Sequence, residues 1–297
     1  MPERLRGVVT PLLTPYGDDL SIAMDLYLSH AADSLAAGSH YLSPFGTTGE
    51  ATSNTMAERM AVLEALVTSG TARPDQMMPG TGLCAWGETL ELTRHAHGLG
   101  CTAAMVLPPF FYPPSDEGLY RYYSSLIEAM GADPIPLILY NIPQNSGVPL
   151  SPSLAARLNV AFPEIVIAYK DSSGDWDNTE AVIKAAPGIS VFPGSETLME
   201  RAMPLGAGGC ISASCNSNLP SIRAMFDAIE AGDEAAKAPL RGQLDGHRAA
   251  LQEAGLIGGL KSLKAELTGD QRWLNTRPPL MQADPGAAPA LVQSLLA

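Results

Sequence analysis

One lysine stands at the end of an apolar run, Ile165-Val166-Ile167-Ala168-Tyr169-Lys170-Asp171. Such a run fits a strand buried on both faces. An amine emerging there is poorly solvated, which disfavours the charged form in general. A neutral amine attacks carbonyl carbons, so the position suits Schiff-base chemistry. The alternative is a strand that simply ends, with Lys170 turned to water. Tyr140 places a phenol, able to donate or accept a proton, in a second apolar run, Ile135–Asn141. Its alternative is a core tyrosine with a satisfied hydroxyl. Gly46-Thr47-Thr48-Gly49 combines two hydroxyls with two glycines, which permit unusual backbone and exposed N–H donors suited to a carboxylate or phosphate. Its alternative is an ordinary tight turn. Taken together, the three features make a site for a 2-oxo acid: carboxylate on the turn, carbonyl at the lysine, proton transfer by the phenol.

Placing such residues together requires a particular arrangement of elements. Eight segments read as strands: Gly7–Leu13, His40–Phe45, Met77–Thr81, Ala104–Pro108, Ile135–Asn141, Ile165–Asp171, Ser190–Gly194 and Gly209–Ser214. Between them lie amphipathic stretches, among them Ala57–Thr68, Glu88–Gly98 and Glu117–Met130. Ser151 before Pro152 is a helix cap followed by proline at the first helical position. The alternation predicts an α/β chain, a (β/α)8 TIM barrel over residues 1–228, with a C-terminal helical appendage over 229–297. Within the appendage, helices are expected over Asp233–Ala254, Leu256–Leu267 and Ala287–Leu296, with an irregular Thr276–Pro285. In such a barrel the active site gathers at the C-terminal strand ends. These ends supply Gly46 to Glu50, Phe110 to Tyr112, Tyr140, Lys170, Gly194-Ser195-Glu196 and Ile211-Ser212.

Composition narrows the function class. The chain has 297 residues, 46% hydrophobic and 16% charged, which fits a compact globule. Its 18 basic and 31 acidic residues give a net charge of −13, against the basic footprint of a nucleic-acid binder. Four cysteines, Cys84, Cys101, Cys210 and Cys215, lack metal-ligand spacing and read as reduced residues of a cytoplasmic protein. The five histidines form no cluster with carboxylates, so neither a metal nor another cofactor is expected. Gly206 to Gly209 lacks the dinucleotide spacing and reads as a tight turn. No apolar run reaches the length of a membrane span, and no membrane partner is expected.

The ordered motifs resemble the dihydrodipicolinate synthase / N-acetylneuraminate lyase superfamily of class I, Schiff-base aldolases. They are Gly7 to Pro11 with Thr14-Pro15, Gly46-Thr47-Thr48-Gly49-Glu50, Gly80-Thr81-Gly82, Glu117-Gly118-Leu119-Tyr120, Tyr140-Asn141-Ile142-Pro143 and Lys170-Asp171. The resemblance implies Lys170 as the Schiff-base residue for a pyruvate-like 2-oxo acid and Tyr140 as proton shuttle. It implies that Thr47 and Thr48, with Gly46, receive the carboxylate, and that the protein is a homotetramer built as a dimer of dimers.

Departures from the synthase pattern bear on the substrate. Phe111 stands where the synthases carry a relay tyrosine, with Tyr112 beside it, and Asn145 where they carry an arginine for a second carboxylate. Gln144 to Gly147 and Lys170 to Asp175 look closer to the 2-keto-3-deoxy-sugar-acid and 4-hydroxy-2-oxoglutarate aldolases. Gly194, Ser195, Glu196 and Ile211 are further candidate substrate contacts, and Glu196 suits hydroxyls better than a second carboxylate. The expected activity is cleavage of a 4-hydroxy-2-oxo acid to pyruvate and an aldehyde. A dehydratase or deaminase using the same imine, and a non-catalytic binding paralogue, are the alternatives.

Overall fold

The computed structural model describes residues 4–296, which form two compact units. One comprises Arg73–Ile211 with the described residues before Val8; the other comprises Val8–Ala72 and the described residues from Ser212 onward. Among the described residues seven strands are formed: β1 Gly7–Thr10, β2 Tyr41–Leu42, β3 Ala104–Val106, β4 Leu137–Asn141, β5 Val166–Asp171, β6 Ser190–Pro193 and β7 Gly209–Ile211. The fold is α/β with parallel sheets.

The first unit holds a four-stranded sheet in the order β3-β4-β5-β6. Every residue of β4 is buried, as a strand covered on both faces requires. Helices Asp116–Met130, Pro152–Ala161 and Trp176–Ala185 alternate with these strands. Each begins at a polar cap whose side chain accepts a backbone N–H: Ser115 from Gly118, Ser151 from Leu154, Asp175 from Asp177.

The segment Met77–Thr81, expected as a strand, forms only an isolated parallel bridge between Gly80 and Met105. Thr102 and Met105 donate to the carbonyls of Met77 and Pro79, and Thr81 donates to Met105. Pro79 has no N–H of its own to extend the ladder. The chain passes so close to Leu107 that a Cβ on Gly82 would lie 2.5 Å from the Leu107 nitrogen, so only glycine fits. Among the described residues no closed eight-stranded barrel is traced. Other strands stop short of their apolar runs, β1 before Pro11 and β3 before Pro108.

In the second unit β1 pairs with β2, Val9 opposite Tyr41 and Thr10 opposite Leu42. Helix Met56–Thr68 opens on a reciprocal cap in which Thr55 and Glu58 satisfy each other's backbone N–H. The C-terminal helices fall at Glu234–Glu253, Leu256–Thr268 and Ala288–Leu296. They bury a core of Leu13, Leu251, Leu260, Leu263, Trp273 and Leu291. Among the described residues no helix is long and apolar enough to cross a membrane.

Candidate active site

Strand register sets the chemistry of the first unit. Tyr140 on β4 lies opposite Lys170 on β5, and Lys170 lies opposite Phe192 on β6. Paired residues of a parallel ladder project to one face, so these three side chains stand together. Lys170 is 3% exposed and Tyr140 4%. The Lys170 Nζ sits 4.2 Å from the centroid of the Tyr140 ring. The lysine therefore does not turn to water: its amine packs on the phenol with which chemistry would pair it.

The next residue on each strand projects to the opposite face and locks this arrangement. Asp171 accepts four hydrogen bonds. Its Oδ1 takes them from Asn141 Nδ2 at 3.0 Å and the Ser173 N–H at 3.1 Å. Its Oδ2 takes them from Asn178 Nδ2 at 2.9 Å and the Thr179 hydroxyl at 2.7 Å. Asn141 in turn accepts the Leu150 N–H at 3.0 Å. Tyr169, on the same face as Asp171, donates its hydroxyl to the Leu150 carbonyl at 2.7 Å, and burial pushes its phenol well above the ordinary range.

The remaining candidates of this unit differ in exposure. Phe111 is 87% exposed, with φ 88°, and its ring meets Tyr112 edge-on at 5.4 Å. Asn145 is exposed on the short helix Pro143–Ser146, held by its N–H to the Ile142 carbonyl. Beside it, Gln144 donates to the Ser172 carbonyl at 2.6 Å. Gly194 donates its N–H to the Asp171 carbonyl at 2.6 Å. Ser195 shares a 3.0 Å hydrogen bond with Thr197, while Glu196 and Ile211 are buried.

Gly46, Thr47 and Thr48 belong to the second unit. The turn closes on itself: the N–H groups of Gly49 and Ala51 donate to Gly46 and that of Glu50 to Thr47. These donors are therefore spent inside the turn. Thr47 is partly exposed and Thr48 buried. The glycines are not the residues with unusual backbone, contrary to the expectation from sequence. Left-handed φ falls on the flanking Phe45 and Glu50, at 58° and 52°. Gly49 is needed because a Cβ there would lie 2.7 Å from the Leu12 carbonyl.

The whole described chain matches one family model, that of the dihydrodipicolinate synthetase family, over residues 4–297. The chain belongs to that family. It is 35% identical over 241 residues to an uncharacterised DapA-like lyase of Chloroflexus aurantiacus, covering 80% of this chain and 79% of the relative. It is 36% identical over 231 residues to the 4-hydroxy-tetrahydrodipicolinate synthase of Thermus thermophilus, covering 77% and 75%. Among solved structures, the dihydrodipicolinate synthase of Acinetobacter baumannii complexed with pyruvate superposes with a TM-score of 0.87 at 28% identity, covering 98% of each chain.

Two features of this family member escaped the sequence reading. Asn141 and Asp171 were visible as motif residues, but their partnership depends on register. The second is a fully buried ion pair between Glu50 and Lys261. Lys261 sits beside Leu260 and one turn from Ile257 in the helix Leu256–Thr268, so a charge on an apolar stripe was the available signal. Among the described residues no group of three His, Cys, Asp or Glu side chains stands at metal-binding distance.

Proposed function

We propose that the protein is a class I aldolase that cleaves a 4-hydroxy-2-oxo acid with an uncharged tail, such as a 2-keto-3-deoxy sugar acid, to pyruvate and an aldehyde. The observation that carries this reading is the buried Lys170 amine packed on the Tyr140 ring across adjacent strands. Lys170 attacks the C2 ketone, and loss of water gives a protonated imine. The imine draws electrons from the C3–C4 bond as Tyr140 takes the C4 hydroxyl proton. The aldehyde leaves, the enamine is protonated at C3, and hydrolysis releases pyruvate. Thr47 and Thr48, with the Gly46 backbone, receive the substrate carboxylate. The pyruvate found in the A. baumannii relative supports the 2-oxo acid half of this assignment.

The name of the T. thermophilus relative favours a second reading, condensation of pyruvate with aspartate semialdehyde. Two residues weigh against it. Asn145 offers an amide and no charge where a two-pronged guanidinium would hold the second carboxylate. Phe111 has no ionisable proton to relay. Comparing kcat/KM for cleavage of a neutral-tailed 2-keto-3-deoxy acid with that for semialdehyde condensation decides between them. We expect cleavage to be the more efficient; efficient condensation overturns the assignment. A product with an intact carbon skeleton would move it to a dehydratase or deaminase.

A further inference from the structure

Glu50 is a costly residue in its place. It follows the Gly-Thr-Thr-Gly turn with φ 52° and ψ 40°, a left-handed conformation that glycine adopts with less strain. Its side chain is fully buried, as is that of Lys261, and the two form an ion pair. A buried charge is tolerated only when closely partnered, and this carboxylate is held from two sides. Lys261 comes from the helix Leu256–Thr268, and the Arg277 backbone N–H reaches the Glu50 Oε2 at 3.3 Å. Lys261 also donates to the Asn275 carbonyl at 2.7 Å and lies 4.6 Å from the Tyr16 ring centroid.

The same residue governs the turn. The Glu50 N–H donates to the Thr47 carbonyl at 3.0 Å, and its own carbonyl accepts from Asn54 Nδ2 at 2.8 Å. The turn has a further anchor in the Thr14 hydroxyl, which donates to the Gly49 carbonyl at 2.7 Å. Arg277 extends the support, pairing with Glu58 and donating to the Ser53 carbonyl and to Asn54 Oδ1. A movement of the Glu50 carboxylate must therefore be felt at Thr47, through one residue of strained backbone.

We propose that Lys261 is a positioning residue for the substrate carboxylate: through Glu50 it fixes the turn bearing Thr47 and Thr48, so the C-terminal helical segment sets affinity for the 2-oxo acid. This rests on the proposed role of that turn. Lys261 does not touch substrate and is not the Schiff-base residue, since its amine is already held by Glu50 and Asn275.

The test uses the full chain and pyruvate itself. Borohydride trapping at Lys170, followed by intact mass, gives the pyruvate concentration for half-maximal labelling. In the double variant Glu50→Gln/Lys261→Met both charges go together, leaving no lone buried charge. We expect half-maximal labelling to need at least about tenfold more pyruvate, with full labelling at saturation, in keeping with the sensitivity of bound geometry to small displacements. A folded double variant that labels at wild-type concentrations overturns the inference. Hydrogen exchange on the unaltered protein supplies an independent reading and decides the matter where the variant does not fold. Pyruvate should slow exchange in peptides covering 46–51 and, together with them, 256–277. Slowing confined to 46–51 contradicts the proposal. Absence of any labelling at Lys170 in the wild type would instead remove the aldolase reading itself.

Discussion

Removing the Asp171 carboxylate tests how strand register supports the proposed chemistry. In Asp171→Ala four donors lose their acceptor: Asn141, the Ser173 N–H, Asn178 and Thr179. Asn178 and Ser173 are partly exposed and can turn to water, and Thr179 keeps a 3.3 Å bond to the Asp175 carbonyl. Asn141 is buried and has no such escape for this N–H. One orphaned buried donor costs about 1–3 kcal/mol, and loss of the charged hydrogen bonds brings the total to roughly 2–5 kcal/mol. For a chain of this size each kcal/mol moves the melting temperature by about 2 °C, so a fall of roughly 4–10 °C is expected. Because Tyr140 and Lys170 immediately precede Asn141 and Asp171, kcat should fall about tenfold or more as their alignment loosens. Asp171→Asn retains the Oδ1 acceptor and should lose less than half as much stability. Thermal unfolding by circular dichroism and steady-state pyruvate release measure both effects. An alanine variant that melts within about 2 °C of wild type with unchanged kcat would show that the network does not position the site.

Two further outcomes concern the fold and its response to pH. Gly82→Ala should destabilise by about 1–3 kcal/mol or more, since its Cβ would meet the Leu107 backbone at 2.5 and 2.7 Å; a melting temperature equal to wild type contradicts the close approach. Burial pulls His30 down to about 3 and His247 down to about 4, against an ordinary 6.5. Between these values and pH 6.5 the unfolded chain binds more protons than the folded one, so stability falls on acidification through that window. Arg277 holds Glu58 down to about 2, adding a further loss below pH 4.5. The melting temperature should therefore drop between pH 6.5 and 4, with a shallower slope in His247→Gln; a flat profile contradicts it.

Much of the architecture was legible because local chemistry declares it. Ser151 with Pro152 marked a helix start, and Asp233 and Ala254 bound the helix Glu234–Glu253 as its caps. Lys170 and Tyr140 were legible because a charged and a phenolic group interrupt strand-like apolar runs. Apolar content does not reveal where pairing stops, so β2 was read as His40–Phe45 but spans Tyr41–Leu42, and Met77–Thr81 shrinks to one bridge. The turn glycines misled for a related reason. Tight packing on Leu12 and left-handed backbone look alike in sequence, and here the second falls on Phe45 and Glu50. The Glu50–Lys261 pair was hidden because its partners lie far apart in the chain.

Lys170 is proposed to form the covalent bond to substrate. Incubation with pyruvate and borohydride, followed by peptide mapping, measures it directly. A single reduced pyruvyl adduct is expected on Lys170, absent from Lys170→Ala, while Lys261 stays unmodified. Labelling at another lysine, or none in a folded protein saturated with pyruvate, contradicts it.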